Sequence, residues 1–207
     1  MRTIRTATFI SMDGVMQAPG GPEEDPSDGF KSGGWVFPFW DDTLGELMGR
    51  AMGENYDLLL GRRTYEIFAA FWPHQDDELG RVFNSVEKYV VASPGTPTPW
   101  VNSHRIEGDV VPAVRALKQT EGRDLLIHGS SKVIHALLAA DLIDQMTTLT
   151  FPLVLGRGKR LFDAGSRPRA WTPLGGEVTG KGVVVATYGL GGDVPTGSFV
   201  EEAARDA

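Results

Sequence analysis

Three junctions in the sequence carry side chains suited to holding phosphate. Leu59-Leu60-Gly61-Arg62-Arg63-Thr64 runs from an apolar stretch into a glycine, two arginines and a hydroxyl. Ile127-His128-Gly129-Ser130-Ser131-Lys132 repeats the pattern with two hydroxyls and a lysine. Val90-Val91-Ala92-Ser93-Pro94 offers one hydroxyl after a third apolar stretch. A glycine lets backbone approach an anion, a helix start presents unpaired N–H groups, and a guanidinium adds fixed charge with paired donors. Each junction alone also fits an ordinary helix cap. Together they suit a ligand with several phosphates, and a dinucleotide bearing an extra ribose phosphate accounts for the arginine pair.

Two further groups bear on chemistry. Asp13, in Ser11-Met12-Asp13-Gly14, either stabilises a turn through its side chain or acts as an acid. Asp41 and Asp42 stand before an amphipathic stretch, where they serve as helix N-caps or supply an acid to a site. Just before them lie Trp35, Phe37, Phe39 and Trp40 on a stretch with Pro38. Loop aromatics must be covered by the core, a partner chain or a flat heterocyclic substrate. Phe37 and Trp40 are the candidates for the substrate side, with Trp40 beside Asp41.

Other chemistries lack their residues. With no cysteine there is no thiol nucleophile, zinc–thiolate site or iron–sulfur cluster. The four histidines, His74, His104, His128 and His135, form no i, i+4 pair, and no metal site is expected. Gly175, Gly180 and Lys181 have P-loop spacing, but Gly182 stands where the magnesium-binding hydroxyl belongs. Neither a Gly-x-Ser-x-Gly elbow nor a full Gly-x-Gly-x-x-Gly fingerprint occurs where it would be needed. A net charge of -7 argues against a nucleic-acid partner. No stretch approaches the ~18 apolar residues of a membrane helix, and the N-terminus does not read as an export signal. A cytoplasmic protein acting on a small molecule is the expectation.

These residues require elements to hold them. Strands are expected over 6–10, 57–60, 88–92, 124–127, 143–151 and 183–188, from short β-branched or apolar runs closed by turn residues. Helices are expected over 43–53, 65–71, 77–84, 110–118 and 132–139, from apolar spacing such as Leu44, Leu47, Met48 and Met52. Alternating strands and helices imply an α/β domain whose parallel strands present their C-terminal ends, and their ligands, at one edge. The last two strands have no helix between them, so an antiparallel C-terminal edge is expected. At 207 residues the chain suits one domain, taken as 1–190, followed by a polar tail over 191–207. An apolar C-terminal edge is compatible with a homodimer.

Ser11-Met12-Asp13-Gly14, Leu60-Gly61-Arg62-Arg63-Thr64-Tyr65 with Phe71-Trp72-Pro73, the Gly129-Ser130-Ser131 turn, and Phe151-Pro152-Leu153-Val154-Leu155-Gly156-Arg157-Gly158 before Leu161-Phe162 occur in order. The set resembles the dihydrofolate-reductase-like superfamily, and within it the reductase domain of bacterial riboflavin biosynthesis and its stand-alone relatives. The resemblance covers about residues 4–190. It implies a central, mostly parallel sheet flanked by helices and an NADPH cleft. By that resemblance Arg62, Arg63 and Thr64 meet cofactor phosphates and Ser93 lies beside the adenosine ribose phosphate. Gly129, Ser130, Ser131, Lys132 and Val133 wrap the pyrophosphate and the nicotinamide side, and the Gly14-to-Gln17 loop closes over the nicotinamide. The implied activity is NADPH-dependent reduction of a pterin-like heterocycle or a ribosylaminopyrimidine-like substrate. Binding of a dinucleotide, flavin or pterin without turnover is the alternative. Dihydrofolate reductases have consecutive glycines where this chain has Gly129-Ser130-Ser131.

Overall fold

The computed structural model describes residues 1–199; residues 200–207 of the expected polar tail lie outside the described residues. In chain order the elements are β1 (Ile4–Ser11), α1 (Asp42–Met52), β2 (Tyr56–Gly61), α2 (Arg62–Phe71), α3 (Glu78–Ser85), β3 (Lys88–Val91), β4 (Ser103–Ile106), α4 (Val110–Gln119), β5 (Asp124–Ile127), α5 (Ser131–Ala139), β6 (Gln145–Phe151), β7 (Trp171–Val178) and β8 (Val184–Leu190). All eight strands join one sheet in the order β4-β3-β2-β5-β1-β6-β8-β7. Strands β1 to β6 pair in parallel, while β8 runs antiparallel to β6 and β7 to β8. The parallel body and the antiparallel edge expected from the sequence are both present.

Burial explains the central strands. Every residue of β2 is buried, because helices cover both faces of the sheet at that point. On one face Leu44, Leu47 and Met48 of α1, Tyr65 of α2 and Phe83 of α3 pack with Ala7, Leu58, Leu60 and Leu126. On the other, Val114 of α4 and Val133, Ile134 and Leu137 of α5 pack with Ile4, Leu59, Leu125 and Ile127. Neighbouring strand residues such as Leu58 and Leu59 therefore serve opposite cores.

Two strands lack the signals used to expect strands. β4 reads Ser-His-Arg-Ile, with no apolar run, and its middle residues are exposed. It exists because it completes the sheet beside β3. β7 contains Pro173, Gly175 and Gly176, and its register shifts between Pro173 and Gly175. An edge strand tolerates such residues because one side of its backbone needs no ladder partner.

Candidate functional site

Parallel pairing brings the C-terminal ends of β1, β2, β3 and β5 to one edge of the sheet. Two of the three phosphate-competent junctions touch there. Thr64 Oγ1 lies 2.8 Å from Ser130 Oγ, joining the first turn of α2 to the start of α5. A Cβ on Gly61 would lie 2.3 Å from Ser130 Oγ and 2.5 Å from Ser130 Cβ. Gly61 has φ -79°, so glycine is required there for close approach and not for an unusual backbone angle. Ser130 adopts φ 84°, ψ 80°, in the left-handed region that a non-glycine residue enters at a cost.

The helix starts at this edge differ from those elsewhere. Asp41, Asp77 and Asp109 cap α1, α3 and α4 by accepting from Leu44, Gly80 and Val111 N–H groups. α2 and α5 have no side-chain cap. The first N–H groups of a helix have no intrahelical acceptor, so these two starts offer donors and positive dipole ends side by side. The arrangement fits an anionic group such as a pyrophosphate.

The basic residues around it are already engaged to different degrees. Arg62 is exposed and pairs with Glu66 one turn along α2, at 2.8 Å. Arg63 Nη2 pairs at 2.8 Å with Asp25 Oδ1, whose side chain is only 10% exposed. Lys132 and Ser93 are exposed, Ser131 is half-buried, and Val133 is buried beneath the junction. Ser93 follows β3, which pairs with β2 on the side away from β5, so it stands apart from the Thr64–Ser130 contact.

Asp25 anchors the long loop between β1 and α1. Its carboxylate receives Lys159 Nζ at 2.5 Å and Ser27 Oγ at 2.6 Å. Burial opposes its charge, but Lys159 and Ser27 outweigh burial and hold the carboxyl below its ordinary pKa. Gln17 Nε2 donates to the Asp25 and Ser27 carbonyls, and Gln17 Oε1 accepts from Lys159 N–H. Gln17 ends the loop expected to close over the nicotinamide, whereas Asp25 and Lys159 are site residues that the sequence reading does not name. Their available signal was the pairing of an acidic run, Glu23-Glu24-Asp25, with a basic one, Arg157-Gly158-Lys159-Arg160.

Asp13 belongs to the same strapping. It accepts from Ser11 Oγ at 2.6 Å and from the Leu155 and Gly156 N–H groups at 3.0 and 2.9 Å, with Arg160 Nη2 at 3.2 Å. Burial raises its pKa, but the Ser11 hydroxyl and the Leu155 and Gly156 amides more than reverse this and lower it to about 2. A carboxylate so occupied supports the turn-holding reading over the acid reading. Asp41 likewise spends one oxygen on the Leu44 N–H, 2.8 Å away.

The four loop aromatics divide. Trp35 is buried and meets Phe151 edge-on at 5.3 Å, and Phe39 meets the same ring at 5.8 Å. Trp40 is 43% exposed; its ring stands edge-on to Phe9 of β1 at 6.2 Å and lies over Gly45 of α1. Lys181 Nζ holds the Pro38 and Trp40 carbonyls from the β7–β8 turn. Phe37 is 82% exposed and joins no ring cluster. Trp40 therefore packs between Phe9 of β1 and Gly45 of α1, and Phe37 stands in solvent.

Among the described residues no helix is long and apolar enough to cross a membrane. Comparison of the whole chain with known proteins gives the same fold repeatedly. A putative riboflavin biosynthesis protein from Shewanella sp. PV-4 superposes with a TM-score of 0.65 and 21% identity, over 91% of this chain and 98% of that one. A pyrimidine reductase-like protein from Corynebacterium diphtheriae gives 0.63 and 12% identity, over 91% and 92%. Dihydrofolate reductase from Enterococcus faecalis, complexed with NADP(H) and RAB-propyl, gives 0.55 and 17%, over 91% and 96%. The fold is thus dihydrofolate-reductase-like. In sequence, the uncharacterized protein YyaP of Bacillus subtilis (strain 168) is 26% identical over 110 residues, which are 51% of this chain and 58% of that protein. The family model of the RibD C-terminal domain matches residues 2–185, so nearly the whole sheet with its ordered junctions is family sequence, and the chain belongs to the RibD C-terminal domain family.

Proposed function

We propose that the chain is an NADPH-dependent reductase acting on a small pterin-like heterocycle or a ribosylaminopyrimidine-like substrate. The observation that carries this is the contact between two uncapped helix starts, α2 and α5, at the C-terminal edge of a parallel sheet. Their N–H groups, with Arg62 and Lys132 exposed beside them, fit the phosphates of a dinucleotide. Arg62 and Arg63 add the charge that an extra ribose phosphate requires, with Ser93 further along the edge. Arg62, Lys132 and the two helix starts would hold a nicotinamide cofactor there, and such a group would supply hydride to an imine or carbonyl carbon.

The protein's own contribution is placement. The strapped loop from Gly14 to Gln17 fixes one wall, and Val15 is fully buried. Trp40, backed by Phe9, offers a flat apolar surface for a planar ring. Holding two reacting carbons close and aligned supplies about 7–11 kcal/mol of barrier lowering without a strong acid. A proton then comes from water or from the unengaged oxygen of Asp41.

One observation favours the other reading, a protein that binds a dinucleotide, flavin or pterin without turnover. Asp13 is ionised and fully engaged, and Asp41 caps a helix. Loss of NADPH absorbance with a panel of pterins, flavins and ribosylaminopyrimidines separates the two. Turnover of any member supports the reductase; tight NADPH binding without turnover across the panel supports the binding protein.

A further inference from the structure

One buried polar group next to this site has no partner. His128 follows β5 and immediately precedes Gly129. Its ring packs against Phe83 of α3, with centroids 5.6 Å apart, and against Phe68 of α2 at 6.1 Å. Nε2 is buried and hydrogen-bonds to nothing in the protein. Burial pushes the ring's pKa down to about 4, against the hydrogen bond that the other ring nitrogen donates to the Ala7 carbonyl, which acts the other way. The imidazole is therefore neutral at pH 7.

Such a group is anomalous where it sits. Phe68, Trp72 and Phe83 form an aromatic cluster around it, and leucine or phenylalanine would fill the same space with no polar atom to desolvate. Phe68 and Trp72 are only partly buried, and Phe71, edge-on to Trp72, is 52% exposed. Ala7 of β1, Phe68 of α2 and the strained Ser130 all lie within two residues of the ring or in contact with it. His128 thus stands where β1, β5 and α2 meet, beside the junction assigned to the cofactor.

We propose that His128 Nε2 is a hydrogen-bonding contact reserved for the substrate, selecting a nitrogen heterocycle over a plain aromatic ring. The inference rests on the reductase reading above. With its other nitrogen donating to Ala7, the neutral imidazole presents Nε2 as an acceptor, and pterin-like and pyrimidine-like rings carry amino and N–H groups at their edges to match. A site built to satisfy a buried polar atom rejects an analogue that leaves it unpaired.

The test compares the full chain with His128→Leu and His128→Gln, using NADPH and a dihydropterin as probes. The expected result is unchanged NADPH affinity in both variants, an unchanged or raised Tm in His128→Leu, and dihydropterin binding weakened about tenfold by Leu and partly restored by Gln. In the unaltered protein the Nε2 nitrogen resonance should move on adding dihydropterin and not on adding NADPH alone. Equal dihydropterin affinity in His128→Leu overturns the inference, as does an unmoved resonance on a protein that binds the probe. A parent that binds NADPH but not dihydropterin overturns it while leaving the reductase reading in place. A parent that binds neither removes the reductase reading and the inference with it.

Discussion

Arg63 Nη2 lies 2.8 Å from Asp25 Oδ1, tying the first turn of α2 to the loop between β1 and α1. Arg62, one residue earlier, pairs only with Glu66 on its own helix. Adjacent arginines with the same expected role thus have different duties. Arg62 is an exposed i, i+4 pair of little structural value, while Arg63 meets a carboxylate that is nearly buried and shared with Lys159.

Arg62→Ala should therefore weaken NADPH while leaving the melting temperature unchanged. Losing one charge-assisted phosphate contact costs about 1.5–3 kcal/mol, and the loss should be smaller for NADH. Arg63→Ala should weaken NADPH and also lower Tm, because Asp25 loses a partner. Paired titration and thermal melts of both variants check this. Equal losses for NADPH and NADH, or identical melting behaviour in the two variants, would contradict the division.

Asp13 sets an acid limb on stability. Its folded pKa, about 2, lies below the ordinary 3.8, so between those values the unfolded chain binds more protons than the native one. Stability from this group is present above the ordinary value and is lost as pH falls toward 2. The difference corresponds to about 2 kcal/mol at neutral pH. Asp13→Asn should lower stability near pH 7 and flatten its dependence across the acid window, as followed by urea unfolding at several pH values. A variant with parental stability but no turnover would instead make Asp13 the proton donor.

The sheet and its edge were legible in the sequence because the central strands are short apolar runs ending at Gly61, Ser93 and Gly129. Turn chemistry and burial agree at those points. β4 and β7 were not legible, since exposed edge strands need neither apolar runs nor freedom from proline. At the site, residue types identified Gly61, Thr64, Gly129 and Ser130, which do meet. They could not reveal that Ser130 fills the space Gly61 leaves open, or that Asp25 claims Arg63. Those facts depend on contacts across tens of residues, and local patterns carry no register between distant segments. His128 reads from sequence as part of a turn and as one of four histidines without metal-site spacing, because burial of Nε2 is a property of Phe68 and Phe83 packing around it.

Trp40 should affect the substrate and spare the cofactor. Its ring packs on Phe9 of β1 and over Gly45 of α1, and makes no ring contact with α2 or α5. Trp40→Ala should raise KM or lower kcat by about tenfold, in line with an aromatic contact of about 1 kcal/mol plus lost apolar area. NADPH affinity should stay within error. Phe37→Ala, at an 82% exposed position, should change neither; a large KM effect there would relocate the substrate wall.

We propose that the β7 edge forms a homodimer contact. β7 ends the sheet, and Leu174, Val178 and Val184 are exposed on β7 and β8. Pro173 and the register shift blunt strand addition along β7, so the contact is made by these clustered exposed apolar side chains. Light scattering should report a dimer for the parent and a monomer for Leu174→Lys combined with Val178→Lys. A monomeric parent at micromolar concentration would refute the contact.

Gly61 and Ser130 should behave as one unit. A methyl group at 61 would overlap Ser130 Oγ and Cβ, at 2.3 and 2.5 Å, so Gly61→Ala must push α5 away from α2 and part the Thr64–Ser130 hydroxyls. Both Tm and NADPH affinity should fall. Ser130→Gly removes the overlapping atoms and the left-handed strain at φ 84°, which relieves about 1–2 kcal/mol, while losing the hydroxyl contact with Thr64. Combining the two changes should therefore recover most of the stability lost by Gly61→Ala, and a double-mutant cycle should show coupling above about 0.5 kcal/mol. Val133 Cγ2, 3.1 Å from the same added methyl, keeps the recovery incomplete. Gly129→Ala offers the contrast, since its methyl would come no closer than 3.3 Å to Thr64 Oγ1; it should cost less than Gly61→Ala in both readouts. Additive effects of Gly61→Ala and Ser130→Gly would mean that the two junctions do not share this contact, and that the paired helix starts are not held together as described.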